Sequence, residues 1–415
     1  MKKRTTLSLM KQTFRQVLPA QDGRCVLSPL DFVTGLVFCF LGDTKSFGLE
    51  AIRRFMIGRF EVSISKGAFW ERLSGQRLNA QLHEVLAQLM SRLSAQAVVG
   101  EQLLKGLGVS TIYLIDSSSV SLWDGASETH PGTRTWAAIK WHACIDLLSG
   151  QTRWFKLSAG STNDRQCFPP LEAWAGKLLM FDLGYWDYGL LLGIDAANGF
   201  FLSRVKVNAS IRIEQVVEGL SQRWVGKKLS QFKPKRKQKG LIEVLGRVVH
   251  GKQSKVFRLV GFWNPAEKKY HWYITNLAVP ACVLYPLYRL RWTLELIFKA
   301  SKRSFNLDKR LTSNNPRIIE SLMLSSIIAG FASGVVLELG AQHLSAPQAL
   351  AISFQRAAQI VVQLANDFIH YITGSAQSLA TRLLKKIQLF APELFEKNHR
   401  HRPTALARAQ ALLAA

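Results

Sequence analysis

The chain has 415 residues, and its 54 Lys and Arg against 28 Asp and Glu leave a formal charge of +26. A hydrophobic share of 48% excludes a disordered basic tail, so the excess charge belongs to a folded protein with a polyanionic partner, either nucleic acid or an anionic membrane surface. The five cysteines, Cys25, Cys39, Cys144, Cys167 and Cys282, are odd in number and form no Cys-x-x-Cys pair, which speaks against a disulfide framework or a structural zinc site.

This length allows two or three domains. The N-terminus, Met-Lys-Lys-Arg-Thr-Thr-Leu, is basic but lacks a long apolar run, so no secretory signal is expected. Residues 1–105 read as a mostly helical region. Phe32–Leu41 is apolar but too short to span a bilayer. Ser46–Met56 and Ser65–Leu73 read as two short helices around a turn, with Ser63 or Ser65 as the second N-cap. Such a helix-turn-helix-like unit would lay Arg53, Arg54, Arg59, Lys66 and Arg72 on phosphates; otherwise it is a plain helical hairpin.

The texture changes at residue 106. Thr111–Ile115 is a strand-like run ending at Asp116, and Leu178–Phe181 is a second one ending at Asp182. Trp136–Ile145 and Thr152–Leu157 are further strands separated by the turn at Ser149-Gly150. Two buried strands that each deliver an aspartate at the carboxyl end would bring those aspartates together if they are neighbours in one sheet. His142 lies alone on a strand and reads as structural. Ser117–Ser119 lacks the Gly-x-Ser-x-Gly setting of a hydrolase elbow.

Strand signals then run through Phe200–Val207, Leu241–Val249, Lys255–Trp263 and Tyr270–Leu277. They fill a gap of about 110 residues before the next acidic candidate, too long for a simple connection. Inside lies the basic stretch Gly226–Gly240, which contains Lys235, Arg236 and Lys237 and reads as a phosphate-tracking loop or a merely solvated one.

Residues 286–302 carry the densest pattern. Pro286 suits the first turn of a helix. Leu287, Leu290, Leu294 and Ile297 draw one apolar stripe. Tyr288, Arg291, Glu295 and Lys302 share a neighbouring face, so one carboxylate is flanked by two cations and a phenol. On pattern alone this is a salt-bridged surface. After it, Ser321–Leu337 runs without a charge and reads as a buried core helix in preference to a membrane span. The tail His399–Arg402 reads as an exposed basic end.

The spacing Tyr288-x2-Arg291-x3-Glu295-x6-Lys302 resembles the Tyr–Arg–Glu–Lys signature of cut-and-paste transposases of the insertion-sequence-four type. Asp116-Ser-Ser118 is similar to that family's first-aspartate block. Lys140, His142, Asp146 and Ser149-Gly150 resemble the strand pair that follows, and Gly160–Asp164 the turn after it. Asp182-Leu-Gly-Tyr-Trp-Asp187 resembles the second-aspartate block, with Leu183 where the family usually has Arg. The likeness covers roughly residues 110–305.

The resemblance implies an α/β fold: a ribonuclease-H-like core with a β-rich insertion, flanked by helical N- and C-terminal regions. The expected division is 1–105 helical and DNA-binding, 106–199 core, 200–279 insertion, 280–340 second part of the core, and 341–415 helical. It implies an Asp116–Asp182–Glu295 triad that holds two Mg²⁺ ions, with Mn²⁺ able to substitute. Tyr288, Arg291 and Lys302 would hold phosphates; Trp263 and Trp272 read first as β-sheet core, while the resemblance implies that one of them receives a base flipped out of a hairpin end. Expected partners are double-stranded DNA, as transposon ends and target, and a second copy of the chain in the DNA complex; no membrane is expected. The expected location is the bacterial cytoplasm, with the nucleoid. The competing readings are a DNA-binding derivative of the same fold without catalysis, and a basic membrane-surface protein.

Overall fold

Except for β6, the strands form where period-2 or continuous apolar patterns predict them: β1 Thr111–Ser121, β2 Ala138–Asp146, β3 Thr152–Ala159, β4 Lys177–Phe181, β5 Phe200–Arg204, β6 Arg212–Glu218, β7 Ile242–His250, β8 Gln253–Asn264 and β9 Lys269–Thr275. The structure is a computed structural model that describes residues 6–20, 25–40, 48–93, 101–233, 240–345, 352–394 and 405–414. All nine strands join one sheet in the order β3-β2-β1-β4-β5-β9-β8-β7-β6. β1, β2 and β3 form an antiparallel meander; β4 is parallel to β1, and β5 is parallel to β4.

Successive residues of a strand point to opposite faces, and here they enter two separate cores. Ile112, Leu114, Leu178 and Met180 face a core shared with the helices, while Ile115, Leu179, Phe181 and Phe201 face a second core shared with the later strands. Burial on both faces is why β4 reads as an unbroken apolar run.

The helices are α1 Thr6–Val17, α2 Pro29–Val37, α3 Leu49–Phe60, α4 Lys66–Leu73, α5 Gln76–Arg92, α6 Glu101–Leu107, α7 Tyr188–Ala196, α8 Ala281–Arg289, α9 Trp292–Arg303, α10 Leu307–Arg310 and α11 Pro316–Ala341, then Phe354–Gln363, Ala365–Thr373, Ser378–Phe390 and Ala405–Ala414. α11 is the only one of the described helices long and apolar enough to cross a membrane. It is a core helix, with 83% of its apolar window buried inside the protein. Its Ser321 hydroxyl donates to Asn79 Oδ1 of α5 at 2.8 Å, so even its polar groups face protein.

The two helical flanks form one body. Lys11 and Arg15 of α1 donate to the carbonyls that end helix Ala365–Thr373, at 2.8 Å for Lys11 Nζ to Gly374 O and 2.9 Å for Arg15 Nε to Ile372 O. Phe38 stacks on Phe368 at 5.2 Å.

Several expectations change here. Asp116 does not end its strand: β1 continues to Ser121 because Ser117–Ser121 pair with Ala138–His142 of β2. β5 belongs to the core side of the 199/200 boundary, since it bonds β4 in parallel and β9 antiparallel. Strands β5 to β9 therefore continue the sheet of β1 to β4, and β6 gave no clear signal in sequence. Pro286 lies inside α8, which starts at Ala281. Ser65 caps α4 as expected, accepting from Ala68 N–H at 3.1 Å. Two of the cations assigned to phosphates there are used internally: Arg53 pairs with Glu50, and Arg72 donates to Leu27 O at 2.7 Å and covers the Phe32 ring.

Candidate active site

The parallel register between β1 and β4 pairs Ile115 with Phe181. The next residues, Asp116 and Asp182, therefore stand side by side where β4 stops and β1 goes on. Asp182 opens a 3₁₀ turn, Leu183–Tyr185, but its carboxylate caps no N–H there. Among the described residues it makes no hydrogen bond or ion pair, so it is a carboxylate without a structural task.

Glu295 arrives from the helical side. Between α8 and α9 the chain tightens: Leu290 N–H bonds Leu287 O, Arg291 N–H bonds Tyr288 O and Leu294 N–H bonds Arg291 O, each at 3.0 Å. These three-residue spacings are 3₁₀ geometry, which redirects the side chains before α9 begins. The apolar stripe Leu287, Leu290, Leu294 and Ile297 is buried, as its period requires, and Phe298 packs edge-on against Trp141 of β2 at 4.9 Å.

The polar face is not a solvated surface. Arg291 donates from Nη1 to Asp116 Oδ2 and from Nη2 to Glu295 Oε1, the latter at 3.0 Å, so one guanidinium bridges two of the three acids. Its buried Nε has no acceptor among the described residues. Tyr288 is buried, and its hydroxyl donates to Phe181 O at 3.4 Å, directly before Asp182. Lys302 Nζ donates to Ser119 O at 2.6 Å. In this conformation Lys302 and Arg291 tie the glutamate helix to β1, and Tyr288 ties α8 to the end of β4.

The electrostatics follow. Burial pushes the Asp116 carboxyl up to about 6; Arg291 and the Ser117 N–H oppose the rise, while the charges of Asp182 and Glu295 add to it. Burial works against the Arg291 cation, but the acids around it outweigh that and raise its pKa. Burial also pushes the Tyr288 phenol up to about 12.

Among the described residues, no three His, Cys, Asp or Glu side chains stand close enough to close a metal cage. The donor chemistry suits a hard divalent cation: Asp182 and Glu295 both act on the Asp116 carboxyl, Asp182 is unengaged, and Arg291 is drawn between Asp116 and Glu295.

The remaining candidates separate. Trp272 packs among Phe232 and Tyr270 in the second core. Trp263 packs against the same core, edge-on to Tyr270 at 5.4 Å, and also lines an open cavity of about 330 Å³ with Phe262, Asn264, His271 and Tyr285. Lys235, Arg236 and Lys237 lie outside the described residues. Sequence reasoning missed Trp292, 61% exposed on the face of α9 that carries Glu295; an apolar residue beside the stripe reads as core until the 3₁₀ junction turns it outward. His142 is structural as expected: buried, held by Tyr185 at 3.0 Å and Ser158 at 2.9 Å, and pushed down to about 4 by burial, so it is neutral at pH 7. Asp187 is also engaged. It caps α7 by accepting from Leu190 N–H at 3.1 Å, and it pairs with Arg165.

Residues 108–329, just over half of the chain, match a family described as "Transposase DDE domain". The transposase for insertion sequence element IS231F of Bacillus thuringiensis subsp. israelensis is 24% identical over 364 residues, covering 75% of this chain and 74% of that protein. The IS231E transposase of B. thuringiensis subsp. finitimus is 26% identical over 306 residues, covering 56% of this chain and 62% of that protein. The solved piggyBac transposase synaptic complex with hairpin DNA aligns at a TM-score of 0.43 and 9% identity, covering 94% of this chain and 86% of that one.

Proposed function

The chain belongs to the transposase DDE domain family, and from that premise we propose that it cuts and joins DNA at the ends of an insertion sequence, with Asp116, Asp182 and Glu295 as its catalytic carboxylates. The observation that carries this reading is the register that sets Asp116 beside Asp182, with Glu295 drawn to them through Arg291. The strand order β3-β2-β1-β4-β5, an antiparallel meander followed by two parallel strands, supports a ribonuclease-H-like core.

The three carboxylates would hold two Mg²⁺ ions, or Mn²⁺ in their place, which when bound activate the attacking oxygen and neutralise charge at the scissile phosphate. The chain's own groups do the positioning. Tyr288 ties α8 to the backbone at the end of β4 and Lys302 ties α9 to β1, which holds the helix pair, and Glu295 with it, against the aspartates. Arg291 can exchange one carboxylate for a phosphate oxygen and still use the other as an anchor, and its spare Nε–H suits a second oxygen. The substrate places the protein in the cytoplasm with the nucleoid, and paired ends call for two copies of the chain. An acid at each of the three positions argues against a derivative without catalysis. The test is metal-dependent nicking of end DNA by the triad variants.

For cleavage of the second strand we favour a hairpin route, with Trp263 as the stacking partner of the extruded base, because it lines a cavity of about 330 Å³. Trp263→Ala should reduce hairpin formation at least about tenfold while first-strand nicking stays within about twofold, since one stacked base is worth about 1–3 kcal/mol. Trp272→Ala should instead lower thermal stability and slow both steps together. Equal loss of both steps in Trp263→Ala would return Trp263 to core packing.

A further inference from the structure

Behind the carboxylates, on the opposite face of the sheet, lies a polar cluster that the proposed chemistry does not use. Its centre is Asp164, in the loop that connects β3 to β4. Asp164 Oδ1 accepts from the Ser117 hydroxyl at 3.0 Å and from Lys140 Nζ at 3.1 Å. Lys140 is held in turn by Thr162 O at 2.7 Å. The other oxygen, Oδ2, lies against Gly184, where an added Cβ would come within 2.7 Å of it.

One carboxylate therefore touches three pieces of chain. Ser117 follows Asp116 on β1, Lys140 is on β2, and Gly184 lies two residues after Asp182. The same loop is fastened again at its next residues: Arg165 pairs with Asp187, and the Phe168 ring meets Tyr185 and Phe181 edge-on at 5.8 and 5.6 Å. The lysine and aspartate are mostly buried, with side chains 13% and 24% exposed, so the pair is shielded from solvent and salt.

A strand and a turn that each present a catalytic acid need a fixed mutual height. The parallel ladder sets it as far as Ile115–Phe181 and then ends. Past that point Asp182 sits in a turn with its side chain unengaged; Tyr185 of that turn reaches Ser117 and His142 on the neighbouring strands, and Asp164 fills the space between Ser117 and Gly184. We propose that Asp164 is a positioning residue of the active site: it registers the strand bearing Asp116 against the turn bearing Asp182, and does so without itself touching DNA or metal. The inference rests on the carboxylate assignment above. Asp164 is not a third aspartate of the site, because Ser117, its partner, points to the opposite face from Asp116, which faces Arg291.

Gly184 has a matching requirement. A methyl group there displaces Oδ2 while leaving every polar group present, so Gly184→Ala tests the same link from the other side. Residues that orient a metal-binding shell from behind typically change affinity or activity about 10–100-fold when removed. Asp164→Ala should therefore slow Mg²⁺-dependent nicking by that factor and raise the Mg²⁺ concentration at half activity, with end-DNA affinity within about twofold of wild type. Asp164→Asn, which keeps an acceptor for Ser117, should recover most of the rate. Ser117→Ala should add nothing to Asp164→Ala, because both remove one link.

Folded Asp164→Ala and Gly184→Ala proteins that nick within about twofold of wild type would overturn the proposal, as would a loss of DNA affinity equal to the loss of nicking. If Asp164→Ala does not fold, Gly184→Ala and Asp164→Asn carry the test alone. Asp116→Asn in the same assay separates the two levels: if it too is active, the carboxylate assignment fails; if it is dead while the Asp164 and Gly184 variants are unaffected, only the positioning role fails.

Discussion

Asp182→Asn should reduce end nicking and strand transfer by on the order of a thousandfold or more, while leaving end-DNA affinity unchanged or slightly improved. It is the cleanest of the three triad substitutions. The Asp182 carboxylate makes no hydrogen bond or ion pair among the described residues, so its isosteric amide removes a charge and no structural link. Removing a negative charge from a phosphate-binding surface cannot weaken the electrostatic part of DNA binding. Asp116→Asn and Glu295→Gln should be as inactive, with a structural change added because Arg291 bridges both. Asp187→Ala is the control. That carboxylate caps α7 and pairs with Arg165, so the variant should lose about 1 kcal/mol of stability and keep its nicking activity. Full nicking by any triad variant would sink the assignment, and inactivity confined to Asp187→Ala would move the second acid there.

What could be read from sequence was what local pattern controls. Leu178–Phe181 announced a buried strand, and Asp182 had to lie at its end. The stripe Leu287–Ile297 announced which side of the glutamate helix is buried. What could not be read depended on partners far away in the chain. Ser117–Ser119 look like the end of a strand; they stay in β1 because β2 supplies His142, Trp141 and Lys140 opposite them. Arg291 looked like a surface cation until the junction after Pro286 turned it toward Asp116, 175 residues earlier. Asp164 was only a turn residue in sequence, since its contacts with Ser117 and Gly184 are tertiary. Arg72 looked free for DNA because Leu27 O cannot be recognised as its partner from spacing, whereas Glu50, three residues before Arg53 on the same helix, is a partner that spacing does offer.

Arg291→Met should be the most destabilising single change at the site, and its cost should depend on pH and on divalent ions. The Asp116–Arg291 pair is largely buried, with side chains 15% and 13% exposed. Breaking such a pair by removing one partner typically costs about 3–5 kcal/mol, because a charge is left buried and uncompensated. The pH dependence has a definite sign. The Asp116 carboxyl is raised from 3.8 to about 6 in the folded protein, with burial as the main cause and Arg291 as the main opposing charge. A raised acid binds more protons folded than unfolded between those two values. Its contribution therefore lowers stability as pH rises through that window, and the whole penalty is present above it. Without Arg291 the carboxyl rises further, so the penalty at about pH 8 grows, while at about pH 5 the acid is protonated in the folded state and most of the added penalty disappears. Arg291→Lys should restore only part of the loss, since one ammonium cannot bridge Asp116 and Glu295 as the planar guanidinium does. Mn²⁺ or Mg²⁺ should stabilise Arg291→Met more than wild type, because a cation bound by the carboxylates replaces the missing charge. Denaturant unfolding at about pH 5 and pH 8, with and without Mn²⁺, reads all of this. An equal loss at both pH values, indifferent to metal, would mean that Arg291 serves packing and that the three acids do not act as one site.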